Sequence, residues 1–80
     1  MSIQKKVHYK GYVITTKSNE LLNGKWDCEI EIGKFDNGNL SVKQYFGQKQ
    51  YQNITDSQAA GVKYAIRIID GEVDGISPPI

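Results

Sequence analysis

The chain has eighty residues, ten basic and nine acidic, and a net charge of +1. That is one small domain, expected to bury only about 60% of the surface its unfolded chain exposes, and its near-neutral charge lacks the electrostatic footprint of a phosphate-backbone binder. No apolar run is long enough to span a bilayer, and the first residues lack the apolar core of a signal peptide, so a cytoplasmic protein with no membrane partner is expected.

Residues 3–16 are rich in β-branched and aromatic side chains and read as a first strand, interrupted at Lys10-Gly11. A bulge at Gly11 is favoured there, because it brings Val7, Tyr9, Tyr12 and Ile14 to one face. Residues 17–25 read as a loop with a turn at Asn23-Gly24, and with Leu21 and Leu22 as lids over one end of the core. The clearest signal is the second strand, 26–35. Trp26, Cys28, Ile30 and Ile32 alternate there with Asp27, Glu29 and Glu31, giving one dry face and one wet, acidic face. A turn over 36–39 leads to a third strand, with Leu40, Val42 and Phe46 assigned to the dry side and Ser41, Lys43 and Tyr45 to the other. Residues 48–53 are too polar to continue it, and Tyr51 is expected to anchor that link.

A helix follows. Thr55 with Gln58 three residues on has the form of a capping box, which starts the helix at Asp56. Ala59, Val62, Ile66 and Ile69 make its apolar stripe with Ala65 beside them, while Lys63, Tyr64 and Arg67 fall on the opposite side. Gly61, with Ala65 one turn later, marks a flat spot where the helix backbone lies close to what it covers. Gly71 is placed as a left-handed cap. Asp70 opposes the helix dipole and has no partner legible in the sequence. Residues 72–80 read as a loose tail unless Ile76 docks. The expected fold is α+β: a three-stranded antiparallel meander in the order 1-2-3 with a C-terminal helix packed on one face, all in a single domain of residues 1–80.

Little in the sequence carries chemistry. Cys28, lone and within an apolar alternation, is a buried small side chain rather than a nucleophile, and His8 has no partner at a ligand or catalytic spacing. No nucleophile, base and orienting group assemble into a site, so no enzyme, cofactor or metal is expected. The binding surface to which the residues point is the uncovered sheet face. Asp27, Glu29 and Glu31 form an acidic row there, flanked by His8 and Lys10 on one side and by Lys43 with Tyr45 on the other. Such a row fits ordinary cross-strand ion pairing better than a cation site. It repels phosphates, and it favours a protein partner with a mixed or basic patch. Open strand edges make a homodimer a further expectation.

The YKGY stretch from Tyr9 to Tyr12, the strand opened by Trp26 and the segment TDSQAAGVKYAIRIIDG from Thr55 to Gly71 together resemble a group of small uncharacterised bacterial proteins with three strands and one helix. The resemblance implies a βββα domain and no activity. The same order of elements is similar to the HicB-type antitoxins and, more distantly, to double-stranded RNA-binding domains. This resemblance implies the alternative function, a nucleic-acid-binding or antitoxin-like regulatory domain. The primary expectation is a small non-enzymatic protein-interaction module.

Overall fold

The computed structural model describes residues 2–47 and 49–79. Gln48 of the polar link and Ile80 of the tail lie outside the described residues. Four strands, β1 (Ser2–Tyr9), β2 (Tyr12–Glu20), β3 (Trp26–Asp36) and β4 (Asn39–Phe46), form one antiparallel sheet in the order β1-β2-β3-β4. A single helix, α1 (Ile54–Ile69), lies on one face over β2 and β3, touches β1 less, and does not reach β4.

The strand count is four rather than three because Lys10 and Gly11 form a tight reversal instead of a bulge. Both have positive φ, 48° and 81°, the signature of a two-residue type I′ turn. Tyr9 then pairs with Tyr12 and Val7 with Ile14. The four side chains that a bulge would have gathered do share a face, but on two strands. Asn37 and Gly38, at φ 51° and 82°, make an equivalent turn between β3 and β4.

That second turn also fixes which side of β4 is dry. It pairs Asp36 with Asn39, hence Phe35 with Leu40, Gly33 with Val42 and Glu29 with Phe46. Side chains of paired residues point to the same face. Leu40, Val42 and Phe46 therefore stand on the open face with Glu29 and Glu31, opposite to the expectation. Lys43 and Tyr45 are the residues that lie beside Ile32 and Ile30 on the helix side. Apolarity alone suggested the reverse, and the parity of a two-residue turn overrules it.

The helix begins earlier than Thr55 suggested. Asn53, extended at φ −148° and ψ 168°, is the N-cap, and its Oδ1 accepts the Asp56 amide at 2.8 Å. Asn outranks Thr at this position, and Thr55 is left inside the first turn. The buried line along α1 is Ser57, Gly61, Ala65 and Ile68. Ile66 and Ile69 are half-buried beside it and still pack on the core, whereas Ala59 is exposed. The stripe is thus rotated from the most apolar side chains toward the smallest. The reason is the close approach anticipated at Gly61: a Cβ built there would stand 2.5 Å from Cys28 Sγ and 3.1 Å from Thr16 Cγ2. Ser57 completes the seam by donating to the Asp27 carbonyl at 2.8 Å, so its contact with Ser18 Oγ, also 2.8 Å, has Ser18 as donor.

The core is Ile14, Cys28, Ile30, Ile32, Ala65 and Ile68, with Tyr9, Tyr12, Tyr45 and Tyr64 packed around it. After Phe46 the chain leaves the sheet and returns at Tyr51, which exchanges backbone hydrogen bonds of 2.9 and 2.8 Å with Trp26. Leu21 is half-buried, but Leu22 is fully exposed and covers nothing. Val73 and Ile76 pack against the core, and Tyr45 Oη donates to the Ser77 carbonyl at 2.6 Å, which lays the tail beside β4.

Candidate interaction surface

The single helix lies on one face of the sheet, so the other face is bare. Pairing places Asp27, Glu29, Glu31, Gly33 and Phe35 of β3 on that face, beside Lys17, Thr15 and Val13 of β2 and Leu40, Val42, Gln44 and Phe46 of β4. His8 and Lys6 join from β1. Phe35 is 67% exposed, Leu40 54%, Val42 43% and Phe46 65%. The first three lie at the end of the β3–β4 hairpin around Gly33, where a built Cβ would make ordinary contact with Leu40 Cδ1 and Val42 Cγ2 at 3.5 and 3.6 Å. This is an exposed apolar cluster on regular sheet, adjoining an acidic row.

Of the seven candidate residues, four share this face: His8, Asp27, Glu29 and Glu31. Glu29 is the direct cross-strand partner of Lys17, with the charged atoms 4.0 Å apart and both side chains more than 40% exposed. Such a pair contributes about 0.2–1 kcal/mol. Asp27 Oδ1 accepts from Asn19 Nδ2 at 2.9 Å. Lys43 and Tyr45 stand on the other face, where burial pushes the Tyr45 hydroxyl above its ordinary range.

Lys10 is elsewhere again. At the tip of the first hairpin its Nζ lies 2.8 Å from Asp70 Oδ1, and Tyr9 Oη donates to both oxygens of the same carboxylate at 3.1 and 2.9 Å. Hydrogen bonds from Lys10 and then Tyr9 hold the Asp70 carboxyl below the usual carboxylate range, and Asp70 in turn raises Lys10. The awkward carboxylate at the helix C-terminus is therefore a clasp between the first hairpin and the helix end. Neither sequence spacing nor periodicity links residues sixty positions apart.

No family model, curated protein or solved structure matches the chain. What the molecule offers is thus read from its surfaces. Among the described residues no His, Cys, Asp and Glu side chains gather in a metal-binding group, and no helix is long and apolar enough to cross a membrane. Cys28 is buried, which pushes its thiol above the ordinary value and keeps it protonated. The exposed Phe35, Leu40, Val42 and Phe46 were visible in the sequence as apolar residues. The missing step was the strand parity that brings them out.

Proposed function

We propose that the chain is a small non-enzymatic protein-interaction module whose docking surface is the open sheet face, and that a second copy is the partner it fits first. The observation that carries this reading is the cluster of Phe35, Leu40 and Val42 exposed on a regular sheet. Contiguous apolar surface of this kind marks an interaction site more often than singly scattered side chains do. A second copy suits the face because the face carries both signs. Lys6 and Lys17 on β1 and β2 complement Asp27, Glu29 and Glu31 on β3. The accessible surface supports it too: 5363 Å² is larger than the value of about 4,850 Å² expected for a folded monomer of this mass. The acidic row weighs against the alternative, a nucleic-acid-binding or antitoxin-like regulatory role, because phosphates are repelled there.

Sedimentation equilibrium from micromolar to millimolar protein tests the proposal. The expected result is a reversible dimer that Leu40→Asp converts to a folded monomer, since an exposed residue of β4 is dispensable to the core. A wild-type protein that stays monomeric throughout, or a dimer indifferent to Leu40→Asp, would overturn it.

A further inference from the structure

The helix leaves a second surface unfilled, on the opposite side of the sheet. Because α1 lies over β2 and β3 and stops short of β4, a slot of about 650 Å³ runs between them. Its floor is Cys28 and Ile30 of β3, and Ile76 of the tail also lines it. Ala60, Gly61 and Tyr64 give the helix wall an apolar surface, while Gly47 and Tyr51 form the facing wall. Three cations stand around it. Lys63 and Arg67, one turn apart on α1, line the helix side and Lys49 comes from the polar link, and none of the lining residues is acidic. In a chain of net charge +1 this is a local excess of three positive charges over an apolar floor.

We infer that this slot binds an extended acidic peptide segment of a partner protein, one in which carboxylates alternate with apolar side chains. The apolar side chains would lie against Ile30, Ala60 and Tyr64, and the carboxylates would meet Lys49, Lys63 and Arg67. Charge complementarity selects the occupant, since exposed cations beside an apolar wall stabilise an amphipathic anion and reject a cationic one. The chain offers its own example of this chemistry. Glu72, Val73 and Asp74 alternate acidic with apolar residues, Val73 and Ile76 pack against the core, and Ile76 lines the slot. Nucleic acid fits less well, because backbone affinity scales with the number of phosphates neutralised and three cations neutralise few. The slot lies on the helix side of the sheet, so this inference is independent of the open-face reading.

The test is fluorescence anisotropy with a labelled peptide of repeating Glu-Leu-Glu-Phe, run beside its Lys-Leu-Lys-Phe counterpart and a single-stranded oligonucleotide. The acidic peptide should bind, the lysine peptide should not, and the double charge reversal Lys63→Glu with Arg67→Glu should weaken binding roughly tenfold or more, as loss of two partly exposed charge contacts implies. Lys63→Arg should retain it. Ala60→Trp, which fills the slot from an only partly buried position, should abolish binding with an unchanged circular dichroism spectrum. Leu40→Asp on the open face should leave peptide binding intact whatever it does to self-association. Equal binding of the two peptides, indifference to the charge reversal, or tighter binding of the oligonucleotide would each overturn the inference.

Discussion

Gly61 sets how closely the two layers approach. In an exposed helix interior, replacing Gly by Ala gains about 1 kcal/mol of helix propensity. Here the added methyl would meet Cys28 Sγ at 2.5 Å, and overpacking of that kind costs about 1–3 kcal/mol. Gly61→Ala is therefore expected to lower the denaturation midpoint, by a net of up to about 2 kcal/mol in stability. Combining it with Cys28→Ala frees the space, so the double variant should be more stable than the sum of the two single effects. A Gly61→Ala protein that melts higher than wild type would show that the helix does not rest on β3 at this point. The close approach was legible in the sequence, since a Gly and an Ala one turn apart in an apolar helix have few other uses. Ser57 was not legible: as a polar residue in the first turn it reads as solvent-facing. Only its bond to the Asp27 carbonyl accounts for its burial.

Between elements, the contact least accessible to sequence reasoning is the clasp of Tyr9 and Lys10 on Asp70. A carboxylate at a helix C-terminus opposes the helix dipole. Here a cation and a phenol offset it and tie the first hairpin to the helix end. The folded state lowers the Asp70 pKa below its ordinary 3.8, so its contribution is present above that value and lost as pH falls through the depressed one. Lys10 is raised above 10.5, so its contribution is present below that value and lost as pH rises through the elevated one. Thermal midpoints followed from neutral pH into acid should show wild type above Asp70→Asn by a constant margin that shrinks below about pH 4. A margin independent of pH would mean that the clasp is not electrostatic. The same scale shows where pattern reading succeeds and fails. The alternation over β3 and the Asn37-Gly38 turn were plain. Lys10-Gly11 reads as a bulge because a bulge gathers Val7, Tyr9, Tyr12 and Ile14 on one face, but a two-residue hairpin turn gathers the same four on two strands, so the apolar pattern does not separate the two.

Over the whole molecule, the sheet is wider than its cover, since α1 contacts β1, β2 and β3 but not β4. The Cα extents are 43 × 25 × 15 Å, a slab one sheet and one helix thick, and a slab leaves two faces to account for. The sequence displayed an acidic row on the bare face but hid the apolar cluster beside it, because the side chains of β4 were assigned by hydrophobicity instead of by the turn that sets their parity. The edges differ as well. β1 carries Lys5 and Lys6 and is protected against pairing, whereas β4 has a single Lys and no Pro. The central claim is that the open face is the surface through which the chain associates. A dilution series of ¹⁵N–¹H correlation spectra tests it most directly, by following the amides of Val13, Gly33, Phe35, Leu40 and Val42 against those of α1. Concentration-dependent shifts centred on those five residues, with α1 unmoved, are the expected result; shifts confined to α1, or none at any concentration, would contradict it.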